Sequence, residues 1–177
     1  MKKFFWYLMI LMVTAPLWAG EDDYGKIHPK APAELSQFEF LKGKWDVDTR
    51  WKKKDGTHTD YKATFTCSWV VGGTVFQQEW KGPYTTGREF RRYNAKKGKW
   101  EGYNIYMGNG WVPTECVFKN GQMIVFIHVD DQRGKFLARE TYFNITENSW
   151  EMKSERSSDD GKTWEEGNYS LKATRSE

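Results

Sequence analysis

Few residues in this 177-residue chain are of types that carry out chemistry, and they are scattered. The histidines are His28, His58 and His128, and the thiols are Cys67 and Cys116. A metal centre needs several His, Cys or carboxylate ligands converging, and these spacings offer none, so neither metal nor cofactor is expected. His128 lies in the apolar stretch MIVFIHV, where it is a surface histidine beside Glu115 or, turned inward, a general base or haem ligand. Neither cysteine has the His and Asn or Asp partners that a thiolate nucleophile uses. The stretch REFRRYN is basic, and Arg92 facing Glu101 could bind a ligand carboxylate or simply satisfy that glutamate. SSDDGKTW fits the Asp-box pattern, with Ser157, Asp159, Gly161, Thr163 and Trp164 at its defining places. A single copy is too few for a propeller, so the box is expected to cap one hairpin: Asp bonds backbone N–H groups, Gly supplies positive φ and Trp packs beneath.

The segment that leads into these residues fixes a compartment. MKKFFWYLMILMVTAPLWAG carries two lysines, an apolar run over 4–13 and small residues at Ala19 and Gly20, the pattern of a Sec signal peptide cleaved near Ala19. Thr14 and Pro16 interrupt the run well short of a membrane span. A periplasmic or secreted protein, with no membrane span after cleavage, is expected. The formal net charge is +3, and losing Lys2 and Lys3 leaves a near-neutral chain that signals no nucleic-acid partner. In an oxidising compartment Cys67 and Cys116 could bridge, but an up-and-down order of strands sets them across a barrel from each other. Two buried free thiols are expected.

Residues 20–34 are polar, hold Pro29 and Pro32 and show no period, which suits an extended tether; SQFEFL at 36–41 suits a short helical turn. From Gly43 the period becomes two. Ten alternating runs follow, at 44–53, 57–71, 74–81, 87–95, 99–108, 111–119, 122–130, 135–146, 149–157 and 163–175, separated by Gly, Asn or Asp. With 17% aromatic residues and 38% hydrophobic ones, the composition suits a single compact domain over 35–177.

Tight turns fix register, and register decides which side chains share a face. Asn120-Gly121 sets Phe118, Cys116 and Thr114 against Met123, Val125 and Ile127. Gly72-Gly73 sets Trp69, Cys67 and Phe65 against Phe76, Gln78 and Trp80. A three-residue loop with Gly56 left-handed sets Thr49, Val47 and Trp45 against Tyr61, Ala63 and Phe65. A two-residue Asn109-Gly110 turn sets Met107, Ile105 and Tyr103 against Val112, Thr114 and Cys116, and a four-residue AKKG turn pairs Asn94 with Lys99, placing Phe90, Arg92, Glu101 and Tyr103 inward.

One continuous apolar face on ten twisted strands must be buried, and no segment remains for a second layer. Closure into an all-β antiparallel up-and-down barrel is therefore predicted. Eight strands enclose a filled interior, so ten should leave a cavity. Its predicted wall comprises Trp45, Thr49, Trp51, Tyr61, Phe65, Trp69, Phe76, Gln78, Trp80, Tyr103 and Met107.

FLKGKW before the first strand and Arg175 at the end of the last resemble the lipocalin and wider calycin pattern, in which Gly-x-Trp opens strand one and a late Arg packs over the Trp. With RRYNAKKGKWEGY and SSDDGKTW, the chain resembles the exported bacterial calycin-like proteins of domain of unknown function 1579, over about 35–175. The resemblance implies the barrel fold but no activity.

Three functions fit. The first is a binding or carrier barrel for a small apolar or amphipathic ligand, with Trp51, Tyr61, Gln78, Trp80, Arg92 and Tyr103 as contacts. The second is an enzyme on the same barrel using Glu101, Tyr103 or His128 as acid or base. The third is a packed structural barrel, which a cavity well below about 300 Å³ would favour. The strand MIVFIHV, apolar on both faces, is either well covered or a homodimer surface.

Overall fold

The computed structural model describes residues 24–131 and 134–176. The expected signal segment, with its cleavage point near Ala19, lies outside the described residues.

The described residues form a 3-10 helix, η1 (Ala33–Leu41), followed by ten strands. These are β1 (Gly43–Lys52), β2 (His58–Val70), β3 (Val75–Lys81), β4 (Thr86–Asn94), β5 (Lys99–Tyr106), β6 (Val112–Lys119), β7 (Gln122–Asp131), β8 (Gly134–Phe143), β9 (Ser149–Ser157) and β10 (Glu165–Arg175). Each strand pairs antiparallel with its neighbours in sequence, and β1 also pairs with β10 to close the barrel. The alternating runs thus become strands with no free edge. The helical turn begins at Ala33 rather than Ser36.

Most registers follow the turns. Trp45 faces Phe65 and Thr49 faces Tyr61 across the first hairpin, where Gly56 has φ +83°. Cys67 faces Gln78 across the second, Arg92 faces Glu101 across the fourth, and Cys116 faces Val125 across the sixth. The exception is β5–β6. Trp100 faces Cys116, Gly102 faces Thr114 and Asn104 faces Val112. The connection is longer than the two-residue Asn109-Gly110 turn, and the resulting odd-numbered slip reverses the face of every β5 side chain. Trp100, Asn104 and Tyr106 therefore point inward. Tyr103, expected on the wall, is 52% exposed, and Met107 is exposed as well.

The interior has two unlike halves. At the end where β1 begins, η1 inserts Phe38 between Phe76 and Trp100, with ring centroids 5.3 and 4.7 Å apart. Trp45, Trp150 and Tyr142 pack in a chain of tilted rings beside it. Three indole N–H groups are satisfied by the helix, while that of Trp150 has no partner: Trp45 donates to Leu41 O at 2.7 Å, Trp100 to Gln37 Oε1 at 2.9 Å and Trp69 to Glu39 Oε1. Buried aromatic rings contribute large area only if their polar edges find partners, and η1 supplies these acceptors. Arg175 covers the outside of this end, its guanidinium 4.2 Å from the centre of the Trp45 ring. It also donates to Lys42 O and Glu147 O, joining the chain after η1 to the β8–β9 turn. Residues 24–28 run along the β2–β3 hairpin, where Trp69 N donates to Tyr24 O and His28 N to Gly73 O.

At the opposite end the Asp box shapes the β9–β10 turn. Asp159 accepts from Thr163 N, Thr163 Oγ1 and Ser157 Oγ, Gly161 has φ +85°, and Trp164 Nε1 donates to Gly161 O. These bonds hold the Asp159 carboxyl low, at about 2. The box is a capping device here.

Candidate functional site: a half-open cavity above a buried charged layer

The open half of the barrel encloses a cavity of about 400 Å³, above the size expected of a solidly packed barrel. Its apolar wall is formed by Trp51, Trp80, Val129, Phe136 and Leu171, with Tyr61 among them. Trp51 is 40% exposed and stacks flat on Tyr169, with centroids 5.5 Å apart and an interplanar angle of 2°.

Three of the six contacts read from sequence, Trp51, Tyr61 and Trp80, line this cavity. Gln78 is buried but lies outside the wall, and so do Trp45, Trp69 and Phe76, because η1 has filled the half of the barrel they occupy. Arg92 and Tyr103 point outward; the predicted pairing of Arg92 with Glu101 holds, but on the outer face. Glu101 accepts there from Asn94 and Lys97, and those bonds lower its carboxyl. His128 is exposed. None of the acid–base groups Glu101, Tyr103 and His128 reaches the cavity. Cys67 and Cys116 are free and buried, and burial pushes the Cys116 thiol up to about 12, where it is inert.

Other groups that line the cavity were not singled out from sequence: the buried Glu89, Asn104 and Glu140, and the half-buried Tyr106 and Tyr169; Arg91 lies behind. Arg91 Nη2 bonds Glu89 Oε2 at 2.8 Å in a fully dry pair. Tyr106 donates its hydroxyl to Glu89 Oε1, so both oxygens of Glu89 are engaged. Tyr169 donates to Glu140 Oε1 at 2.5 Å. Glu140 Oε2 and Asn104 Oδ1 are buried without a protein partner. Burial, and then the neighbouring charge of Glu89, push the Glu140 carboxyl up to about 7.

Local sequence explains how these groups fit. Gly87 faces Tyr106 across β4–β5, and a Cβ there would lie 2.4 Å from the Tyr106 ring. Gly102 faces Arg91, and a Cβ there would meet Phe90 O at 2.1 Å and Arg91 Cδ at 3.1 Å. The two strand-interior glycines make room for the two long side chains, and such glycines are the sequence signal that points to this layer. On β10 the ladder to β9 is irregular between Glu166 and Ser170. Ser154 Oγ bonds both Tyr169 O and Tyr169 N there, holding Tyr169 over Glu140.

A lipocalin-like closed barrel with a half-open interior is thus the class that fold and cavity define. No family model and no curated protein matches the chain. Among solved structures it is similar to the S-type phycobiliprotein lyase CPES from Guillardia theta, with a TM-score of 0.56 at 11% identity, covering 80% of this chain and 92% of the lyase. At that identity the likeness concerns the fold.

Proposed function

We propose that this protein is an exported barrel that binds a small, mostly apolar ligand in its half-open cavity, and that it belongs with the calycin-like proteins of domain of unknown function 1579. The observation that carries the reading is the cavity of about 400 Å³ with Trp51, Trp80 and Phe136 on its wall and unpartnered polar atoms at its inner end. A barrel kept for structure alone gains nothing by leaving such a volume empty, since voids cost packing energy. Export rests on Lys2 and Lys3, the apolar run over 4–13 and the small residues at Ala19 and Gly20.

Native mass spectrometry of the protein purified from the periplasm of its own host tests both parts. The expected results are an N-terminus beginning at Gly20 and a small molecule retained at one per chain. Trp51→Ala should release that molecule or weaken its binding by about tenfold, the effect of losing one aromatic contact. A chain retaining residues 1–19, or a wild-type affinity in Trp51→Ala, would overturn the corresponding part.

A further inference from the structure

The inner end of the cavity offers acceptors in excess of donors. Glu140 is 6% exposed and Asn104 5%, both line the cavity, and Glu140 Oε2 and Asn104 Oδ1 have no partner. Among the described residues the buried cation nearby is Arg91, whose Nη groups bond Phe90 O and Glu89 Oε2; its Nε has no partner, but Arg91 does not line the cavity. Arg156 is on the wall, but its guanidinium lies 4.0 Å over the Phe136 ring. Two carboxylates against one guanidinium leave the dry layer one positive charge short whenever Glu140 is ionised.

Resting on the ligand-binding reading above, we propose that the cavity takes an amphipathic amine. Its apolar body lies against Trp51, Trp80 and Phe136, and its ammonium donates to Glu140 Oε2 and to Asn104 Oδ1. An ammonium is a compact set of donors without an acceptor, which is the complement of these two oxygens. A buried acceptor left without a donor costs on the order of 1–3 kcal/mol, so the amine is favoured over an apolar ligand of equal size. A ligand carboxylate would be repelled.

The proposal also requires a proton to leave. The groups facing Glu140 are Glu89 and Arg91 from β4, Tyr106 from β5, Cys116 from β6, Tyr142 beside it on β8 and Tyr169 from β10. Its register partners, Val125 on β7 and Ser154 on β9, carry no charge. In the empty cavity Glu140 therefore holds its proton to a higher pH than an ordinary carboxyl, and a bound ammonium favours the carboxylate, releasing protons near neutral pH.

Three probes with one apolar body separate the possibilities: 4-phenylbutylamine, 4-phenylbutan-1-ol and 4-phenylbutyrate, titrated calorimetrically at pH 8. The amine should bind at least about tenfold more tightly than the alcohol, and the carboxylate most weakly. Glu140→Gln, which keeps an oxygen for Tyr169, should bring amine and alcohol to equal affinity. At pH 7, repetition in two buffers of different ionisation enthalpy should show proton release with the amine and none with the alcohol, a readout that needs no variant to fold. Equal binding of amine and alcohol by the native protein, or no proton release, overturns the amine site and leaves the cavity reading standing. An amine preference that survives in a folded Glu140→Gln overturns the anchor. Failure of all three probes, the alcohol included, overturns the cavity reading and the amine site with it.

Discussion

At the end of the barrel that η1 closes, Trp45, Trp69 and Trp100 each find an acceptor on the helix and Phe38 fills the space between rings. At the other end Trp51 and Trp80 line a cavity that no segment of the described chain enters, and Glu89 and Glu140 line it with them. Aromatic content does not separate the two ends. The difference is whether a piece of the same chain is available to fill the bore of a ten-stranded barrel. Where one is, aromatic residues become core; where none is, similar residues become the wall of a site.

Truncation should weigh very differently at the two ends. Phe38→Ala removes a ring with no solvent exposure from between Phe76 and Trp100. It should cost about 3–5 kcal/mol, read as a lowered urea midpoint at unchanged slope. A loss below about 1 kcal/mol would mean that η1 is not the structural plug.

The charged layer between the ends predicts a pH dependence. An acid whose folded pKa lies above its unfolded value holds more protons folded than unfolded, so stability is full below the unfolded value and declines as pH rises through the folded one. For Glu140 that window runs from 4.5 to about 7, and the decline should reach at most about 3 kcal/mol. Urea unfolding followed from pH 4.5 to 8 should show this fall in the wild type, and Glu140→Gln should flatten it. A flat wild-type profile would contradict a buried, charge-crowded Glu140.

Smaller effects sharpen the contrast. Arg175→Ala removes a guanidinium stacked on Trp45 and its bonds to Lys42 O and Glu147 O. A loss of about 1–2 kcal/mol is expected, with ligand affinity unchanged because the cavity lies at the other end. Trp51→Ala should do the opposite, costing about 1 kcal/mol or less through the lost Tyr169 stack while weakening binding. If Trp51→Ala destabilised the fold as strongly as Phe38→Ala, the distinction between wall and plug would fail.

Register could be read from turn residues, at the first hairpin by choosing a three-residue loop over a two-residue Asp55-Gly56 turn that would set Trp51 beside Asp60. Gly56 in the left-handed region and the Gly72-Gly73 turn placed Thr49, Tyr61, Phe65 and Trp80 on the inner face, and three of the six residues named from sequence line the cavity. At β5 the Asn-Gly signal pointed to a two-residue turn, but the strands end at Tyr106 and resume at Val112. That error carried Tyr103 and Arg92 to the wrong side and hid Asn104 and Tyr106. Glu89, Arg91 and Glu140 were missed for a different reason. A hydrophobicity pattern assigns charged residues outward, and although Glu89 and Arg91 pair along one face of β4, nothing in β4 or β8 reveals that Glu140 meets that pair inside the barrel.

Side-chain alternation and turn residues are local properties, and they were sufficient to specify ten strands, their order and the closure that leaves no edge. Which half of the bore is filled, and which carboxylate oxygen is left without a partner, depends on contacts between segments distant along the chain: Phe38 with Trp100, Tyr169 with Glu140. Those contacts exist only once the barrel has closed, so only the tertiary structure could decide where the site lies.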